Sequence, residues 1–158
     1  MLKELIPWID ANFRTLTDKD HRAMAGLSMG GGQTANVTMN NLDKFSYIGL
    51  FSGGAVAGPN PNAPARAGAP TPAPFDIKTS YSGAMANPAE FNRKVKVLFM
   101  SFGTELPLEN PEGLKRHQQE LIAAGITNSY VYISPGTSHE WQTWRRSLYS
   151  FSQMLFRD

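Results

Sequence analysis

The chain has no cysteine, which excludes disulfides, thiolate metal sites and a thiol nucleophile but leaves the compartment open. It has only three histidines, His21, His117 and His139, far apart in sequence, so a metal centre has little to build on. No metal and no other cofactor is expected. Charge is thin: charged residues make up 18%, and fifteen Lys and Arg against thirteen Asp and Glu leave a formal net charge of +2. The basic residues form no stripe and do not interleave with aromatics, so nucleic acid is not an expected partner. No apolar run approaches the roughly 20 residues that span a bilayer, so no membrane partner is expected either. The opening stretch MLKELIPWIDANF lacks the apolar run and small-residue cleavage site of a signal peptide. The expectation is a chain that either stays inside the cell or is missing its true beginning.

What is present suits one soluble domain over residues 1–158, with 41% hydrophobic residues. Leu2, Leu5, Ile6 and Ile9 have helical spacing and predict an amphipathic helix over 2–13. Ala23 to Leu27 is a short apolar run, a buried strand candidate, and the stretch after the glycines at 30–32 reads as a helix. Residues 46–54 read as a second strand. Six of the eleven prolines lie between Pro59 and Pro74, so residues 55–84 read as a long irregular excursion. The near-continuous apolar run at 93–103 predicts a strand covered on both faces. A helix from Glu112 to Ala124 ends at Gly125, and residues 129–134 form a further strand. In the last helix Trp141, Trp144, Leu148, Phe151 and Leu155 fall on one apolar face, which assigns both tryptophans to the core. This alternation predicts an α/β fold with a mostly parallel sheet and flanking helices.

The chemistry is concentrated in Gly26-Leu27-Ser28-Met29-Gly30, a G-x-S-x-G pattern between a predicted strand and a predicted helix. A serine hydroxyl is a weak nucleophile, so it has to stand out from the backbone on a tight turn where a base can reach it. Gly26 and Gly30 are expected to relieve the crowding of that turn. The Met29 N–H, at the start of the following helix, is the expected oxyanion donor. His139 lies after the last predicted strand, where a nucleophile, acid, base order along the chain would place the general base. His21 and His117 are expected to face solvent.

The stretches RAMAGLSMGGGQT and PGTSHEWQTWRRSLYSF resemble the esterase D-like branch of the α/β-hydrolases, above all the feruloyl and acetyl xylan esterases of carbohydrate esterase family one. The likeness also takes in IPWIDANFRT and YIGLFSGG and so runs through essentially the whole chain. It implies an α/β-hydrolase fold, with Ser28 as nucleophile, His139 as base and Met29 as an oxyanion donor. The implied substrate is a small ester, or a feruloylated or acetylated plant cell-wall polysaccharide, hydrolysed through an acyl-enzyme. It also implies secretion or a periplasmic location if the full-length protein carries a signal peptide.

Two departures from the family pattern stand out. The loop after the strong strand reads Gly103-Thr104-Glu105-Leu106, with leucine where the family places its acid, so Glu105 is assigned to orient His139 and Glu109 ranks second. The strands that precede residues 2–13 in the family have no counterpart here. The chain therefore reads as the C-terminal portion of an α/β-hydrolase with an open sheet edge and a tendency to self-associate. Alternative functions are a catalytically impaired or carbohydrate-binding remnant, and acyl transfer or thioester hydrolysis as in mycolyltransferases and S-formylglutathione hydrolases.

Overall fold

The computed structural model of the protein describes residues 1–55 and 74–157. The expected excursion at 55–84 thus lies outside the described residues except at its two ends. Four strands, β1 (Ala23–Leu27), β2 (Tyr47–Phe51), β3 (Val97–Gly103) and β4 (Ser129–Ser134), pair in that order, and every pairing is parallel. Leu27 stands opposite Phe51, Phe51 opposite Ser101 and Gly103 opposite Ser134, so the strand ends line up along one edge. In a parallel α/β sheet this carboxyl edge is where reactive groups collect.

Side chains alternate across the sheet, and the two faces form two cores. Ile48, Leu50, Leu98 and Met100 meet α2 (Met29–Met39), α3 (Pro88–Lys94) and α4 (Pro111–Ala123) through Ala35, Met39, Phe91, Leu114 and Leu121. On the other face Tyr47, Phe51, Val97 and Phe99 pack against Phe151 of α5 (Trp141–Ser152). Phe151 meets Phe51 edge-on at 5.9 Å between ring centroids and lies tilted against Phe99 at 5.5 Å. At the opposite, amino end of the strands Lys19 Nζ donates to Ser46 Oγ and to the Lys94 carbonyl, both at 2.8 Å, tying the starts of β2 and β3 to the segment before β1.

Several expectations are corrected. The first helix, α1 (Leu5–Asn12), is shorter than 2–13 and buries none of its residues. β1 is half-buried rather than buried, with Ala25 exposed, because it is an edge strand paired only with β2 among the described residues. The strand expected at 93–103 begins only at Val97. Residues 88–94 instead form α3, started by Pro88 at its first position and by Asn87, whose side chain accepts the Glu90 N–H at 3.2 Å. The apolar face of α5 is divided: Phe151 is buried, whereas Trp141 is 74% exposed and Leu148 is exposed. With Leu27, Phe51 and Trp144 these two line a cleft of about 540 Å³. No strand or helix covers that part of the helix among the described residues.

His117 does not face solvent. It is 1% exposed on α4, its Nε2 stands 2.9 Å from the Tyr81 hydroxyl, and the Phe75 ring meets it edge-on at 4.9 Å. Phe75, Ile77 and Tyr81 pack as a strap over the α2 and α4 core, and a histidine below that strap is inside. His21 is exposed, as expected, with Nδ1 beside the Asp18 carboxylate at 2.8 Å.

Candidate active site

Ser28 stands between β1 and α2, at φ 52° and ψ −122°. A non-glycine residue there is strained, by about 1–3 kcal/mol, and holds only if its surroundings fix it. They do: the Ser28 N–H donates to the Phe51 carbonyl at 2.7 Å, and its own carbonyl accepts the Gly31 N–H at 3.0 Å. The hydroxyl is thereby lifted clear at the carboxyl edge of the sheet.

The two glycines of the pattern are not equivalent. A Cβ on Gly26 would lie 2.2 Å from the Gly30 carbonyl oxygen, so β1 and the first turn of α2 come close only because residue 26 has no side chain. A Cβ on Gly30 would meet nothing within 4 Å. The crowding relieved at Gly26 is therefore absent at Gly30 among the described residues. Met29 turns its side chain to solvent, 78% exposed, and its N–H is the first amide of α2, for which the helix itself provides no acceptor.

His139 reaches the serine from the far side of the sheet, out of the loop between β4 and α5. Its Nε2 lies 2.8 Å from Ser28 Oγ and its Nδ1 2.8 Å from Glu109 Oε1. An ionised carboxylate only accepts, so Nδ1 carries the proton and Nε2 keeps the lone pair that faces the serine O–H. Glu109 is fully buried, and its second oxygen accepts the Gly103 N–H at 3.1 Å. The imidazole is 27% exposed at its side chain and stands edge-to-face on Trp144, with centroids 5.2 Å apart.

The carboxylate assigned to orient His139 is therefore corrected. Glu105 is exposed, and its Oε1 accepts from its neighbour Thr104 Oγ1 at 3.0 Å. After β3 the chain swings outward, with Leu106 and Leu108 exposed, and turns back in at Glu109, directly before the Asn110 cap of α4. The carboxylate that meets His139 is thus a glutamate at the point where the loop re-enters to start a helix, and that is the sequence signal by which it could be found. The β3 and β4 loops interlock there: the Glu105 N–H donates to the Thr137 carbonyl at 3.0 Å, and Gly103 lies so near that a Cβ would be 2.2 Å from that same oxygen.

No group of three or more His, Asp or Glu is arranged to hold a metal among the described residues. A serine hydroxyl, an imidazole and a buried carboxylate in hydrogen-bonded series can carry out nucleophilic attack with general-base assistance and no metal.

The Esterase family model matches residues 1–154. The endo-1,4-beta-xylanase/feruloyl esterase of Xylanibacter ruminicola is 38% identical over 157 residues, covering 99% of this chain and 17% of that protein. An esterase of Mycobacterium tuberculosis is 60% identical over 54 residues, 34% of this chain and 12% of its own length. The chain thus spans less than a fifth of the curated relatives it matches. Among solved structures, the feruloyl esterase module of Clostridium thermocellum, in complex with sinapinate, superposes with a TM-score of 0.65 at 19% identity, over 98% of this chain and 56% of that one. The ferulic acid esterase of Anaeromyces mucronatus gives 0.64 at 21% identity, over 98% and 52%. These two likenesses concern the fold alone, a parallel sheet with flanking helices. The family match covers all but the last four residues, and on that ground the chain belongs to the esterase family.

Proposed function

We propose that the site hydrolyses carboxylic esters through an acyl-enzyme. Ser28 Oγ attacks the ester carbonyl carbon while His139 Nε2 takes its proton, and the alkoxide that develops on the carbonyl oxygen is met by the Met29 N–H at the start of α2. The tetrahedral adduct collapses, His139 returns the proton to the leaving alcohol, and water repeats the sequence on the acyl-serine. Glu109 stabilises the imidazolium formed in each half-reaction. The observation that carries this proposal is the unbroken series from Ser28 Oγ through His139 to Glu109, each contact 2.8 Å.

For the substrate class, a feruloyl or acetyl ester on plant cell-wall polysaccharide is the choice best supported, because a relative matched over 99% of the chain is an endo-1,4-beta-xylanase/feruloyl esterase. The experiment is hydrolysis of p-nitrophenyl acetate and methyl ferulate by the chain and by Ser28→Ala. Turnover by the unaltered chain that falls at least about 10³-fold in the variant is the expected result. Hydrolysis unaffected by Ser28→Ala would remove the proposal.

A further inference from the structure

Thr143 sits in the first turn of α5 and is fully buried. A buried helical hydroxyl usually donates to the carbonyl four residues back. Thr38 does so to Thr34 and Ser147 to Thr143, each at 2.8 Å. Thr143 does something else. Its Oγ1 lies 2.7 Å from Thr137 Oγ1 and within hydrogen-bond reach of the Ser138 carbonyl oxygen, out of the helix and in the loop that carries His139. Thr137 is buried too and donates its own proton to the Ser134 carbonyl at 3.1 Å. Each hydroxyl has one proton, so Thr137 Oγ1 is left as an acceptor and the Thr143 proton is the one shared with it and with Ser138. The result is a series of buried polar groups that runs from the last residue of β4 to the first turn of α5 and spans the loop from inside.

Two features tie this series to the imidazole. The Ser138 carbonyl belongs to the peptide unit whose nitrogen is that of His139, so holding its plane sets the direction in which the histidine side chain leaves the backbone. The Thr137 carbonyl accepts the Glu105 N–H and lies against Gly103, whose N–H is held by Glu109. Thr137 is thus gripped by the loop that supplies the carboxylate on one side and by Thr143 on the other. We propose that Thr143 is a positioning residue for His139: its hydroxyl holds the 137–139 backbone so that the imidazole spans Ser28 and Glu109, without itself touching the ring.

This inference rests on the ester-hydrolase proposal for its kinetic consequence but not for its structural one, so its test has two readouts. In the full chain Thr143→Val keeps the shape and removes the hydroxyl, and Thr143→Ser keeps the hydroxyl. With p-nitrophenyl acetate the valine variant is expected to lose about 10-fold or more in kcat with KM within about twofold, and the serine variant to stay within about twofold of the parent in both, since small misplacements of a reacting group are costly. The second readout is the low-field proton resonance of His139 Nδ1–H on Glu109, expected to broaden or exchange faster in the valine variant only. A parent chain without Ser28-dependent hydrolysis sinks the ester-hydrolase proposal, and the resonance then decides about Thr143. An unchanged resonance, with unchanged kcat where hydrolysis is present, overturns the inference. Where the valine variant fails to fold, Thr143→Ala takes its place. Loss of folding in both also overturns the inference, because the hydroxyl would then serve the fold rather than the imidazole.

Discussion

Gly26 and Gly30 flank Ser28 symmetrically in the sequence and differ in what surrounds them. Adding a methyl group at residue 26 drives it into the carbonyl of residue 30, 2.2 Å away. Gly26→Ala is expected to push β1 off α2 and abolish soluble, cooperative folding. Gly30→Ala adds its methyl to open space in the first turn of α2, where alanine is favoured over glycine by at most about 1 kcal/mol. That variant is expected to melt at or above the temperature of the parent, and calorimetry on the pair checks both. The two candidate carboxylates separate in the same way. Glu109→Gln leaves the shape intact but no longer fixes the imidazole tautomer, and a loss of about 10³- to 10⁴-fold in kcat is expected. Glu105→Gln changes an exposed group and should leave kcat within about twofold. A large loss in Glu105→Gln with none in Glu109→Gln would return the orienting role to Glu105.

Among the elements, the strap over α4 has a titratable group beneath it. Burial holds His117 below the ordinary histidine range, and the Glu120 carboxylate, 3.5 Å from Nδ1, is too distant and too exposed to reverse that. The unfolded chain therefore takes up a proton first as the pH falls below about 6.5, so stability is complete above that value and declines below it toward the lowered folded pKa. His117→Leu is expected to flatten this part of the stability profile, read as thermal midpoints between pH 7.5 and 5. A parent profile that is already flat across that window would contradict the burial argument. The strap also shows what a sequence conveys and what it withholds. The run at 93–103 and the pattern around Ser28 are local signals, and β3 and the tight turn at Ser28 between β1 and α2 follow from them. His139 was legible because chain order alone fixes which strand end it follows. His117 was not, because a polar helix looks solvated until something packs on it, and here that is Phe75 and Tyr81. Glu109 ranked second because the register of a loop is a three-dimensional property: the outward swing over 104–108 leaves no periodicity to count. α3 had its signal in Asn87, Pro88 and Glu90 but lay against an apolar run that read as strand from its first residue.

For the whole molecule, the sheet margin at β1 has consequences for association. Among the described residues its outer side pairs with no strand. One face of that margin carries the cleft at Leu27, Trp141 and Leu148, and another apolar cleft is lined by Leu5, Ile9, Leu16 and Phe156. Unpaired backbone groups flanked by apolar surface recruit further strands. The chain is expected to self-associate at micromolar concentration, with mass rising with concentration by light scattering after gel filtration. Placing a charge on the edge with Ala25→Lys is expected to shift it toward monomer. A parent that remains monomeric at high concentration would overturn this expectation.

Ser28 follows β1 and His139 follows β4, which are the two outermost strands among the described residues. Three strand spacings, about 14 Å, separate those strands, yet the two side chains touch at 2.8 Å. The Ser28–His139 contact is thus a clasp closed across all four strands among the described residues, dependent on both margins at once, while the ladders between neighbouring strands depend on one junction each. Fraying at either border should open the clasp long before the sheet dissolves. In a urea series, reaction of Ser28 with a fluorophosphonate should therefore fade at lower denaturant than the far-ultraviolet circular dichroism.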